Sequence, residues 1–336
     1  MNNKKSAVVM IGLLIFMGWF LNPGPVWGEE KMKDSHFNVN TFSIAARDEV
    51  TGELGVAVAS RFFAVGNVVP WAKAGVGAVA TQSFMNTSFG WRGLELLERG
   101  LTPEEAVQVL TRNDENPAQR QLGMVAADGK SATYTGKNCL AWAGGRSGPS
   151  YAIQGNILAG EAVVAAVEKA FLETRGTLAE RMYAALVAGD KNGGDSRGKQ
   201  SAALLVVKEG AGYAGYTDRA IDIRVDDHPE PFKELGRLLD LGQMNYAWNE
   251  AWTLFTKKKY AEALPRMETA ANMPPANAEV FYDLAVIRLA AGKKEAALSA
   301  LEKALTLNGK LKKQAAADGD LSALHGNPGF ERLVKN

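Results

Sequence analysis

Two hydrophobic rhythms divide the chain. From residue 41 to residue 225 the apolar positions gather in short runs of small and β-branched residues, whereas from residue 246 onward they recur at helical spacing. The runs at residues 41–47 (Thr-Phe-Ser-Ile-Ala-Ala-Arg) and 54–60 (Leu-Gly-Val-Ala-Val-Ala-Ser) flank a turn holding Gly52, which predicts a β-hairpin. Val56 and Val58 alternate with Ala57 and Ala59, so the second strand is expected to be covered on both faces. Residues 75–82 predict another buried strand, and residues 121–127 and 131–135 a second hairpin around Asp128-Gly129. Residues 153–158, 202–207 and 213–224 read as further strands. Thr102-Pro103-Glu104-Glu105 opens a helix, with an N-cap, a proline at the first position and acids in the first turn. Residues 161–174 and 178–188 predict two more helices, and Gly100 stops the leucine-bearing stretch 90–99. Paired strands, a helical block and strands again give an α+β or α/β domain.

After residue 241 the strand signal disappears and the chain repeats itself. Ala251, Ala263, Ala270 and Pro275 recur 34 residues later as Ala285, Ala297, Ala304 and Gly309, and Met267 recurs as Leu301. Small residues where helices cross, with a breaker closing each unit, resemble two tetratricopeptide repeats. Two repeats bury little core alone, so residues 321–334 are expected to cap them as a helix and the array to pack on the first domain.

The first 28 residues follow neither rhythm. Lys4 and Lys5 precede an apolar run over residues 7–21, Pro23-Gly24-Pro25 breaks it, and Val26-Trp27-Gly28 offers small residues for a signal peptidase. Too short for a comfortable membrane span, this reads as a secretory signal peptide, making the protein exported, periplasmic or secreted. Residues 29–40 read as a linker or pro-segment. Losing the leader takes the formal charge from +1 to slightly negative, and no basic stripe suggests nucleic acid as a partner. Cys139 is the single cysteine, so neither an internal disulfide nor a cysteine-rich metal site is available. Asp226-Asp227-His228 are adjacent residues that cannot all point one way, and no glycine-rich dinucleotide fingerprint, P-loop or His-Glu-x-x-His occurs. No cofactor or metal is therefore expected.

Thr41 heads its strand, and the hairpin it opens ends in Ser60-Arg61. With residues 62–82 (Phe-Phe-Ala-Val-Gly-Asn-Val-Val-Pro-Trp-Ala-Lys onward), 151–160 (Tyr-Ala-Ile-Gln-Gly-Asn onward), 193–207 (Gly-Gly-Asp-Ser-Arg-Gly-Lys-Gln-Ser onward) and 216–229, this order of motifs resembles the domain-of-unknown-function 1028 family. That family is grouped with the N-terminal-nucleophile hydrolases. The resemblance covers about residues 41–241. It implies an α+β fold, a four-layer α/β/β/α sandwich, with the helical-repeat domain following over residues 242–336.

The resemblance makes Thr41 the candidate nucleophile, attacking an amide or peptide carbonyl through its hydroxyl while its own α-amine takes the proton. That requires the Asn40–Thr41 bond to be cut, because about twelve residues would remain ahead of Thr41 after signal cleavage. A plain strand-leading threonine is the alternative reading. Lys73 is the candidate for holding the amine neutral, and Asn156, beside Gly155, for an oxyanion donor. Arg61, Gln82, Asp195, Arg197 and Gln200 are candidate substrate contacts, Arg197 as a clamp on a carboxylate oriented by Asp195. Two functions follow: an exported amidohydrolase, or a non-catalytic protein that binds through this fold. In either, the helical repeats are expected to dock a protein partner, and a homo-oligomer is possible. Burial of Thr41 in the sheet interior would favour the binder.

Overall fold

The computed structural model describes residues 41–335; the expected signal peptide and the residues before Thr41 lie outside them. Ten strands form two wholly antiparallel sheets among the described residues. The first has six strands, in the order β10 (Arg219–Val225), β9 (Ser201–Val207), β2 (Leu54–Ser60), β1 (Thr41–Arg47), β8 (Tyr151–Asn156) and β7 (Gly144–Gly148). The second runs β3 (Pro70–Lys73), β4 (Gly77–Ser83), β5 (Arg120–Ala126) and β6 (Ser131–Thr135).

The period-2 alternation explains how these sheets are covered. On β1, Phe42, Ile44 and Ala46 turn to one side, joining Val163, Val167, Met182 and Leu186 of α3 (Glu161–Glu173) and α4 (Leu178–Lys191). Ala45, with Val56 and Val58 of β2, turns to the other side and meets Ala78, Ala80 and Val125 of the second sheet. Val79, Leu122 and Met124 face away from that interior and pack on α1 (Ser88–Glu98) and α2 (Pro103–Arg112). The Thr102 N-cap forms a full capping box with Glu105, as its residues predict.

Several expectations shift. Strand β8 ends at Asn156 because Ile157 takes a left-handed φ of 52°. Strand β10 starts only at Arg219, after a single 3-10 turn at Tyr213–Gly215. The domain boundary expected at residues 241–242 falls inside one continuous helix, α5 (Pro231–Thr256). Its first half buries Phe232, Leu235 and Leu239 against the six-stranded sheet, and its second half buries Met244, Ala247 and Ala251 among the later helices. A helix apolar towards two cores in succession leaves no linker to cut.

Four helices follow: α6 (Tyr260–Asn272), α7 (Ala278–Ala290), α8 (Lys294–Leu307) and α9 (Leu311–Ala317). The repeated residues Ala251, Ala263, Met267, Ala270, Ala285, Ala297, Leu301 and Ala304 are all buried. The expected capping helix is broken in two. A 3-10 segment (Gly319–Leu324) and α10 (Pro328–Val334) are separated by Gly326, at φ 78°, and by Pro328, which starts the second piece. No helix among the described residues is long and apolar enough to cross a membrane.

Candidate functional site

The space between the two sheets changes character along its length. At one end it is lined by Val56, Val58, Ala78 and Val125. At the other, the inward positions of four strands turn polar together: Thr41 and Ser43 on β1, Gln82 on β4, Gln121 on β5, and Gln154 and Asn156 on β8. All six are buried, Thr41 completely, at 0% exposure. Buried amides and hydroxyls are tolerable only when hydrogen-bonded, and these are.

Ser43 Oγ donates to Gln82 Oε1 at 2.5 Å and accepts from Gln154 Nε2 at 2.6 Å. Gln82 Nε2 donates to the Thr41 carbonyl at 3.1 Å and to Gln121 Oε1 at 2.9 Å. Gln121 Oε1 also accepts from Asn156 Nδ2 at 2.9 Å, while its own Nε2 donates to the Gly155 carbonyl at 2.7 Å and to Thr135 Oγ1 at 2.9 Å. Gly123 leaves room for this network, since a Cβ there would collide with the Gln154 amide.

Thr41 sits at the edge of the network where the strands end. In the ladder it lies between Ser60 and Asn156, and its hydroxyl donates to Ser60 Oγ at 3.2 Å. The loop leading into β9 closes this end, with Gly193, Gly194 and Gly198 at positive φ. Asp195, 6% exposed, accepts from the Arg61 backbone N–H at 2.8 Å and pairs with Leu158 in an isolated bridge. The Arg197 guanidinium lies side-on against it, Nε donating to Oδ1 at 3.3 Å and Nη2 to Oδ2 at 3.2 Å. Arg61 Nη1 reaches the Lys199 carbonyl at 3.3 Å, and Gln200 Nε2 donates to Asp227 Oδ1 at 3.1 Å. Non-glycine residues with left-handed backbone stand just here: Ser83 ends β4 at φ 68° and Ile157 follows β8 at φ 52°. Such strain persists only where surrounding contacts impose it, and it gathers at functional sites.

The structure thus brings Thr41, Gln82, Asn156, Arg61 and the Asp195–Arg197–Gln200 loop to one end of the sheets. It does not bring Lys73. In the β3–β4 pairing Lys73 lies opposite Gly77, at the far end of β4 from Gln82, and its half-exposed ammonium is paired with Glu98 at 2.5 Å. A lysine ending a four-residue edge strand is drawn to the acid of the neighbouring helix, so the place that the resemblance implied for it does not hold. Thr41 itself, the candidate nucleophile, has its side chain in the interior and not at the surface. Gln121 and Ser43 were not foreseen, because a lone polar residue in a strand reads as solvent-facing until its partners across two sheets are known. Cys139 donates to the Arg120 carbonyl at 3.3 Å, and burial pushes its thiol above the ordinary value, so it remains a thiol near neutral pH. Among the described residues no group of three His, Cys, Asp or Glu could hold a metal.

A model described as a family of unknown function, DUF1028, matches residues 41–235. The chain belongs to the DUF1028 family. The match begins at Thr41 and takes in every residue of the site described above. A similar solved structure is protein SPO2555 from Silicibacter pomeroyi, a DUF1028 member, at 31% identity and a TM-score of 0.56 over 61% of this chain and 86% of that one. The ancestral β-subunit Anbu from Yersinia bercovieri aligns at 14% identity and a TM-score of 0.28, over 59% of this chain and 94% of that one. No curated protein matches the chain. The shared DUF1028 body ends within α5, so the helices after it lie outside the family match.

Proposed function

We propose that the chain is the precursor of an exported amidohydrolase whose nucleophile is Thr41, inert until the Asn40–Thr41 bond is cut. The observation that carries this is the place of Thr41. It opens a central strand, turns its hydroxyl between the sheets onto Ser60, and has Asn156 opposite and the Asp195 loop closing the same end. In the uncut chain its nitrogen is a peptide nitrogen and cannot act as a base. Cutting makes it a primary amine with an ordinary pKa near ~7.7–8.0, next to the hydroxyl it would deprotonate. The amide of Asn156 is the N–H donor at that end for a developing oxyanion, and Arg61, Arg197 and Gln200 form the rim that meets the substrate. Lys73 has no part in this reading.

The proposal includes the four-layer sandwich of the N-terminal-nucleophile hydrolases, supported by the apolar clusters on both outer faces and between the sheets. It also includes tetratricopeptide-like repeats that dock a protein partner. Their support is the buried 34-residue repeat and the starts of α6 and α8, Tyr260 and Lys294, which keep the same spacing.

A second reading is favoured by one observation: Thr41 is wholly buried in the intact chain. An uncut protein with this geometry binds through its surface and does not turn over substrate. Intact-mass measurement of the protein recovered from its native envelope separates the two. A chain beginning at Thr41 is expected, with amide turnover that falls by orders of magnitude in Thr41→Ala and survives in part in Thr41→Ser. A chain beginning near Glu29, without turnover, sinks the hydrolase and leaves the binder.

A further inference from the structure

A cavity of about 150 Å³ lies where the six-stranded sheet meets α4, α5 and α6, away from Thr41. Ala179, Val206 and Ile221 give it apolar walls, and exposed Thr269 stands at its mouth. One charged group on its wall is incompletely matched. Glu53 is 7% exposed, and among the described residues its carboxylate accepts a single hydrogen bond, from the Tyr246 hydroxyl at 3.3 Å. A neutral phenol is a weak partner for a carboxylate removed from water. The cation that lines the cavity, Arg266, is committed to Glu250 at 3.2 Å. Burial first, and then the charge of Glu53, hold the Tyr246 phenol well above its ordinary value, so it stays a donor and offers no second charge.

We infer that this pocket binds a small primary alkylamine as its ammonium ion, the cation meeting the Glu53 carboxylate and the alkyl chain lying on the Ala179–Val206–Ile221 wall. The size follows from the volume, since a cavity of about 150 Å³ is of the order that holds one benzene ring, which sets the occupant at about six heavy atoms. The charge follows from Glu53, which has oxygen lone pairs left for N–H donors and none that a carboxylate or phosphate ligand could use. The position, between the sheet and the later helices, is a common one for small-molecule sites. Nothing in this depends on the reading of Thr41.

Calorimetric titration of the full chain with n-pentylamine at neutral pH tests it, with 1-pentanol and pentanoate as isosteric controls. Saturable binding of the amine with one site is expected, at least tenfold tighter than either control. Glu53→Gln should weaken it at least tenfold, and Thr41→Ala should leave it unchanged. Thr269→Trp, placed at the exposed mouth, should block binding even if Glu53→Gln does not fold. Equal affinity for amine and alcohol would overturn the inference, as would wild-type affinity in Thr269→Trp. So would the absence of saturable binding by butyl-, pentyl- and hexylamine at millimolar concentration.

Discussion

Replacing Gln121 by leucine keeps the volume and removes the acceptor of two amides together with the donor that serves Gly155 and Thr135. Each buried polar group left without a partner costs ~1–3 kcal/mol, so the variant should lose about 3 kcal/mol or more, read as a lower urea midpoint with an unchanged slope. Asp283 makes the opposite point, that a half-buried polar residue can weaken the fold. It accepts a hydrogen bond from Trp248 Nε1 at 2.7 Å, yet burial pushes its carboxyl up to about 6, with Asp318 and Glu279 adding to the rise. A carboxyl raised in the folded state contributes stability that is complete below its ordinary value of 3.8 and is lost as pH rises through about 6. Asp283→Asn keeps an acceptor for Trp248 and carries no charge. It should melt higher than the wild type at pH 7.5, with the gap closing as pH falls towards 4.

Helix α5 carries a test at the scale of an element. Gly242 lies within it, and a Cβ there would meet Ile221 and Ile223 of β10 at 3.6 Å, an ordinary contact. Gly242→Ala should therefore stabilise by up to ~1 kcal/mol, the helical cost of glycine. Gly242→Pro removes a backbone donor in mid-helix and should cost ~3 kcal/mol, with calorimetry resolving two transitions where the wild type shows one. That this helix is continuous could not be read from Pro229-Glu230-Pro231 and the change of composition after it, because proline at a first helical turn and proline in a linker look alike. The hairpins, α2 and the helices over residues 161–188 were legible, since alternation, an Asp-Gly turn and a capping sequence each act locally. Strand β7, Gly-Gly-Arg-Ser-Gly, was not, because it holds its place by pairing with β8 and has no apolar pattern of its own. The site was half legible for the same reason. Thr41, Asn156 and the Asp195 loop sit on recognisable motifs, whereas Gln121 earns its role only from partners on two other strands.

At the scale of the whole molecule, the family body and the later helices share one rod. Helix α5 has 26 residues and enters two hydrophobic clusters in turn. At 1.5 Å per residue it is about 39 Å long, so a tilt of about 5° at one end moves the other by about 3 Å. Its first half rests on the sheet that holds β1, with Phe232 stacked on Phe42 of that strand. A displacement of the outer helices is thus delivered as leverage against that sheet and is not absorbed in a slack joint. The helical block works on the sheet as a handle works on a blade.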